Sequence, residues 1–156
     1  MKANLHRAVF AINSLMVTNN ERFSYYKEAA SSCKDMELKL LFMKYAIQSQ
    51  SFTTYLNSWL SAYGSVYIPV NNQNSTVKKW WSQIRHSVTL DERSLMLKEC
   101  DELERNAIKR YRTAIMLSFF PSAAEVDIKK QAQELETSYQ SLQEFRMAFN
   151  RSLQVA

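Results

Sequence analysis

The chain has 156 residues, 46% of them hydrophobic, and this length and composition fit one globular domain with a single core. One Gly and two Pro leave few residues for tight turns, hairpins or phosphate-binding loops, so the composition argues against β-rich and nucleotide-binding folds and predicts an all-α fold. The net charge of +5 would suit nucleic-acid binding, but acids and bases alternate along the chain, as in KECDELERNAIKRYR, and this pattern is typical of a solvated helix face.

Apolar residues recur at steps of three, four or seven in four stretches, and each stretch predicts one long amphipathic helix. Asp35 is a candidate N-cap for the second helix, and Gly64 ends its apolar stripe. Pro121 marks the break before the fourth helix. The four predicted helices span residues 4–31, 35–63, 91–118 and 122–152.

The lengths of the connections predict how these helices are arranged. Four helices of similar length, each with one apolar stripe, bury those stripes most economically as a bundle. Short links between helices one and two, and between three and four, predict two antiparallel hairpins. The connection between the hairpins is long, and its sequence predicts a short amphipathic helix over residues 76–88. We therefore expect a single domain over residues 1–156, with one long crossover joining the hairpins.

No part of the sequence reads as a targeting or membrane segment. No run approaches the ~20 apolar residues needed to cross a bilayer, and Asn, His and Arg interrupt the N-terminal stretch. Cys33 and Cys100 are too few for a disulfide framework. Isolated thiols within helical stripes are more typical of small core residues than of redox centres. These features predict a cytoplasmic protein that does not bind membranes.

The predicted crossover contains a cluster of cations and aromatic rings, VKKWWSQIRHSV. Lys78, Lys79 and Arg85 surround Trp80 and Trp81, a combination that can bind nucleic acid or an acidic protein. A simpler interpretation is that one tryptophan covers the open side of the bundle while the cations face water. We favour this architectural interpretation and keep the five residues as a candidate interaction surface.

Several stretches, in their order and spacing, resemble the ferritin-like superfamily, and more closely a bacterial branch of stress-associated domains of unknown function. The resemblance covers roughly residues 10–150 and implies a ferritin-like bundle with one crossover. It also implies a homodimer, which would help to hide the many aromatic side chains. It rests on NNERFSYYKEAA, LKLLFMKYAIQSQSFTTYL, KKWW and LKECDELERNAIKRYRTAI.

The resemblance also implies where metal ligands would lie. In iron-binding members, helices one and three each supply one glutamate, and helices two and four each supply a Glu-x-x-His pair. Glu21 lies close to the helix-one position, and a shift of one or two residues is left open there. The six corresponding positions in this sequence are Asn19, Gln48, Ser51, Glu104, Glu136 and Tyr139.

Two carboxylates among these positions are too few for a pair of iron ions. Iron in a low-dielectric core needs several anionic ligands to offset its lost hydration. The two histidines, His6 and His86, lie near the chain start and in the crossover. We therefore predict a degenerate site without a metal or another cofactor. Glu104 and Glu136 are expected to lie in a polar core network, with the amide and hydroxyl side chains of the other four positions as donors.

The residues and the resemblance together leave three hypotheses for the function. The leading hypothesis is a non-catalytic bundle that serves as a structural or binding module, because no complete catalytic constellation is present. The stress-related setting comes from the resemblance alone. The first alternative is a ferritin-like oxidase or metal-handling protein that binds iron or another divalent metal through Glu21, Glu104 and Glu136. The second is a basic protein that binds nucleic acid through the crossover cluster.

Overall fold

A computed structural model describes residues 2–69, 90–117 and 119–155. Within these ranges the chain is all-α, as predicted, and contains no strand. None of the described helices combines the length and apolar content of a bilayer-crossing segment. The crossover helix predicted over residues 76–88 lies outside the described ranges. The four helices are α1 (Lys2–Ser32), α2 (Met36–Ala62), α3 (Leu90–Leu117) and α4 (Ser122–Val155).

The signals predicted for the ends of α2 are confirmed. The Asp35 carboxylate accepts hydrogen bonds from the backbone N–H groups of Glu37 and Leu38, at 3.0 and 3.2 Å, and so caps the first turn. Gly64 has a φ of 70° and donates its N–H to the carbonyl of Ser61 at 3.0 Å. This left-handed residue satisfies a terminal carbonyl and reverses the chain, a conformation that glycine adopts at little cost.

Contacts between side chains show how the helices run. Along each adjacent pair, higher residue numbers on one helix contact lower numbers on the other: Arg22 pairs with Glu104, for example, and Thr18 with Arg110. This antiparallel pattern holds for α1 with α2, α1 with α3, α2 with α4, and α3 with α4. The diagonal pairs, α1 with α4 and α2 with α3, are therefore parallel.

This arrangement requires a long crossover. Because α2 and α3 are parallel, the end of α2 and the start of α3 lie at opposite ends of the bundle. The crossover begins along α1, where Ile68 donates its N–H to Asn13 Oδ1 at 2.8 Å and accepts from Asn13 Nδ2 at 3.1 Å. At the other turn, the carbonyl of Pro121 accepts the N–H of Glu125 at 3.0 Å and opens α4.

Two apolar clusters fill the bundle, one towards each end. One is built around Ile12, Leu56 and Ile128, and the other around Tyr26 and Phe42. Between them, at mid-length, polar side chains from all four helices point inward. We call this group the central polar layer; it consists of Asn19, Arg22, Gln48, Glu104, Tyr111, Gln131 and Ser138.

Candidate functional site

A fully buried ion pair lies in the central polar layer. Arg22 of α1 and Glu104 of α3 both have 0% of their side chains exposed. Arg22 donates from Nε to one carboxylate oxygen of Glu104 and from Nη2 to the other, each at 2.7 Å. This two-pronged geometry is among the strongest that an arginine and a carboxylate form. The ion pair therefore links α1 to α3 at the centre of the molecule.

The guanidinium group makes two further hydrogen bonds. Its Nη1 donates to Asn19 Oδ1 at 3.0 Å, and its Nη2 donates to Gln48 Oε1 at 2.7 Å. The rings of Tyr26 and Phe52 lie 5.8 and 5.9 Å from its Cζ atom, within the range of cation–π attraction. A buried arginine is tolerated here because a carboxylate neutralises its charge and amide oxygens accept two more of its protons.

The network continues from this pair into all four helices. Asn19 Nδ2 donates to the hydroxyl of Tyr111 at 2.8 Å, and that hydroxyl donates to Gln131 Oε1 at 2.6 Å. Gln48 Nε2 donates to Ser138 Oγ at 2.9 Å. Each helix thus contributes a side chain whose polar atoms are partnered, which is the condition for a stable polar layer in a protein core.

Burial and charge together shift the pKa values of Arg22 and of two tyrosines at this layer. Burial by itself would lower the pKa of Arg22, but the adjacent Glu104 carboxylate outweighs burial, and the pKa of the guanidinium lies above its usual value. Burial raises the pKa of Tyr111 and of the neighbouring Tyr26, so both phenols stay neutral at physiological pH. The two phenols therefore add no charge beside the ion pair of Arg22 and Glu104.

Half of the positions taken from the ferritin resemblance meet at this centre. Asn19, Gln48 and Glu104 each hydrogen bond to Arg22. Arg22 itself was not predicted to belong to the site, because arginine is seldom fully buried. A signal was present in the sequence, since Asn19 and Arg22 are polar residues at helical steps between the apolar residues Met16 and Tyr26, and so share their inward face.

The other three positions lie outside the central polar layer, so the expectation that all six would share one core network is wrong. Ser51 is exposed on α2. The side chain of Glu136 is 38% exposed and accepts hydrogen bonds from Arg112, itself 70% exposed, at 2.5 and 3.1 Å. The hydroxyl of Tyr139 donates to Asp101 at 2.8 Å rather than to Glu104. The bundle thus buries one of the two expected carboxylates in this layer.

A one-residue difference in helical frame explains the outcome in α4. The inward positions of this helix include Gln131, Leu135, Ser138 and Leu142. The pair Glu136 and Tyr139, taken from the resemblance, follows Leu135 and Ser138 by one residue. One residue corresponds to about 100° around a helix, which turns the pair from the core towards the groove between α3 and α4.

These residues do not fit a pair of metal ions. Glu21 lies 3.9 Å from Arg110, Glu104 is held by Arg22, and Glu136 is held by Arg112. Each candidate carboxylate thus faces a different arginine. Among the described residues, no group of three or more His, Cys, Asp or Glu side chains is arranged to hold a metal ion. The donor set offers one buried carboxylate, and a guanidinium already neutralises it.

A second polar cluster, which was not predicted from the sequence, ties α3 to α4. Asp101 Oδ1 accepts hydrogen bonds from Tyr139 at 2.8 Å and from Gln143 Nε2 at 2.6 Å. Arg105 and Arg146 form ion pairs with the same carboxylate at 3.0 and 3.3 Å. Four donors around one largely buried carboxylate satisfy its hydrogen-bonding capacity, so this cluster is structural. The cluster also explains why the hydroxyl of Tyr139 points towards Asp101 and not towards the central polar layer.

The two cysteines are free and buried. The Sγ atom of Cys100 lies 3.3 Å from the hydroxyl of Tyr26, and burial raises the pKa of the thiol. Burial also raises the pKa of Cys33, whose Sγ donates to the carbonyl of Asp35 at 3.5 Å. Neutral, shielded thiols of this kind are poor nucleophiles.

The candidate interaction surface of Lys78, Lys79, Trp80, Trp81 and Arg85 lies outside the described residues.

Comparison with known proteins adds a family but no activity. No curated protein matches the chain. A protein-family model described as "Domain of unknown function (DUF2383)" matches residues 7–117. The matched range is well over half of the chain; it covers most of α1 and all of α2 and α3, and includes both Arg22 and Glu104. The chain therefore belongs to the DUF2383 family of domains of unknown function.

Proposed function

We propose that this chain is a ferritin-like bundle that works without a metal centre, as a structural or binding module rather than as an enzyme. The observation that carries the proposal is the bidentate pair between Arg22 and Glu104, with both side chains 0% exposed. In this proposal, the guanidinium group takes over the role that a metal cation has in iron-binding relatives: it neutralises the buried carboxylate and draws the helices together.

Electrostatics supports this view. A divalent ion about 4 Å from a guanidinium would be repelled by about 8 kcal/mol at an effective dielectric constant of about 20. The central polar layer has no second carboxylate to offset that repulsion, and a di-iron site of the ferritin type uses four. Binding a metal pair would therefore require Arg22 to leave the core.

Helix order supports the ferritin-like part of the proposal. Adjacent helices are antiparallel, and a single long connection joins the diagonal pair α2 and α3, which is the topology of ferritin-like bundles. Both hairpins contribute to the same two apolar clusters, which favours one domain over residues 1–156. Two free, buried thiols favour a reducing compartment such as the cytoplasm. A stress-related role rests on the sequence resemblance alone.

The metal-handling alternative is less well supported. It requires Glu21, Glu104 and Glu136 to converge on one ion, whereas each of them faces a different arginine, Glu104 in the core and the other two towards the surface. The nucleic-acid alternative depends on residues 78–85, which lie outside the described ranges, and no described feature favours it.

Anaerobic iron binding tests the proposal. The purified chain is incubated with excess ferrous iron, passed through a desalting column and analysed for bound metal. We expect well under one iron per chain and an unfolding midpoint that does not change with iron. About two irons per chain, reduced by Glu104→Gln but not by the surface change Glu136→Gln, would overturn the proposal.

A further inference from the structure

The outward face of α2 carries a second apolar stripe that the bundle core does not use. Its members are Met36, Leu40, Met43 and Ile47, with exposed fractions of 65%, 58%, 43% and 65%. Their steps of four, three and four are those of a coiled-coil seam. A helix on the surface of a bundle needs only the one apolar face that meets the core, so this outer stripe of α2 has no role within the described fold.

We propose that the outer stripe of α2 packs against the same stripe of a second copy of the chain, in an antiparallel two-fold dimer. Two-fold interfaces are self-complementary, so each stripe must fit its own reversed copy. The stripe meets this condition: Met36 lies opposite Ile47 of the partner subunit, and Leu40 lies opposite Met43 of the partner subunit. Every apolar side chain then faces another. The inference does not depend on the metal content of the core.

Flanking charges favour this partner and this direction. Along the seam, Glu37 and Lys44 occupy equivalent positions on one edge, seven residues apart, and Lys39 lies on the other edge. Antiparallel pairing brings edges of the same kind together, so Lys44 meets Glu37 of the partner subunit, twice per dimer. Parallel pairing would instead bring Lys39 to Lys44 of the partner subunit, a like-charge contact that is unfavourable.

The surface beside the stripe also suits a docked helix. A groove of about 330 Å³ runs between α1 and α2, and Met43 and Ile47 form part of its lining together with Ala30 and Ala46. Small residues on the groove floor let side chains of a second helix settle against the bundle. Two heptads make a small interface, and interfaces below about 1,200 Å² belong to weak complexes. We therefore expect monomer and dimer to exchange in a concentration-dependent way.

Sedimentation velocity of the full chain over a wide range of concentrations tests this proposal. The wild type is expected to shift from monomer to dimer as concentration rises. Leu40→Glu places two charges in the seam of each dimer and should weaken dimerisation by at least about a hundredfold. Because Leu40 is largely exposed, the variant should keep the helix content and the unfolding midpoint of the wild type. Val126→Glu changes an apolar residue of α4 that is 65% exposed, against 58% for Leu40, and should leave dimerisation unchanged.

A charge exchange tests the direction of pairing. Lys44→Glu alone should weaken the dimer, because it places a negative side chain opposite Glu37 of the partner subunit. Adding Glu37→Lys should restore dimerisation in the antiparallel arrangement. A wild type that stays monomeric at every concentration would overturn the proposal. So would a Leu40→Glu variant that unfolds, which would mean that this chain's own residues cover the stripe, or a Val126→Glu variant that dissociates equally.

Discussion

Replacing Glu104 with glutamine removes the negative charge of the central ion pair while keeping the shape of the side chain. Arg22, with 0% of its side chain exposed, would then be a buried cation beside a neutral amide. Removing one partner of a buried ion pair costs about 3–5 kcal/mol. An independent route gives a similar value, since two hydrogen bonds between charged groups are each worth about 1.5–3 kcal/mol and the amide oxygen of glutamine can keep one in weaker form. We therefore expect Glu104→Gln to lower the free energy of unfolding by about 3–5 kcal/mol.

Urea unfolding followed by circular dichroism at 222 nm measures this loss, with a chelator present so that adventitious metal does not contribute. The matched control is Glu136→Gln, which removes a carboxylate of the same kind from the exposed pair with Arg112. Exposed pairs contribute about 0–1 kcal/mol, so the control should unfold almost as the wild type does. If Glu104→Gln costs less than about 1 kcal/mol, or no more than the control, the reasoning about the central polar layer is refuted.

Three further predictions concern the rest of the bundle. Gly64→Ala should destabilise the chain by about 1 kcal/mol in the same assay, because Gly64 has a φ of 70°, although nothing lies within 4 Å of the added Cβ; an unchanged or higher stability would contradict this. Cys33 and Cys100 should react slowly with a thiol reagent at pH 8 and promptly in denaturant, since both are buried and burial raises both pKa values; rapid modification of the folded chain would be the contrary result. Burial also raises the pKa of Tyr25, Tyr26, Tyr45 and Tyr111 above the value of about 10 for exposed tyrosine. Above pH 10 the unfolded chain loses these protons while the folded chain keeps them, so stability is full below about pH 10 and falls by up to about 1.4 kcal/mol per pH unit per group as pH rises. Absorbance at 295 nm should therefore show these four ionising together with unfolding, and their ionisation in the folded chain near pH 10 would show the reasoning to be wrong.

Local signals in the sequence carry most of the information on the fold. Helical steps of apolar residues locate the four helices, and Asp35, Gly64 and Pro121 mark ends that depend on the backbone conformation of a few neighbouring residues. Connection lengths then decide which helices are neighbours. The sequence predicts this level well because each signal acts within a few residues of its effect.

The centre of the bundle is harder to predict because it depends on distant partners. Arg22 and Glu104 are 82 positions apart in the chain, and neither side chain is stable in the core without the other. The metal-ligand pattern of iron-binding ferritin-like proteins pointed to Glu104, but that pattern contains no arginine. Asp101 was missed for the same reason, since its hydrogen-bond donors come from α4. In α4 a frame difference of one residue was enough to place Glu136 at the surface.

Nuclear magnetic resonance of the Arg22 side chain tests the central claim most directly. Arginine is labelled with nitrogen-15, and the Nε–H signal of Arg22 is assigned by its loss in Arg22→Lys. The ion pair predicts an Nε–H signal that exchanges slowly with solvent, shifts in Glu104→Gln and stays unchanged when ferrous iron is added anaerobically. Broadening or a paramagnetic shift of this signal by iron, abolished by Glu104→Gln, would show that a metal site exists at the centre of the bundle and would contradict the account.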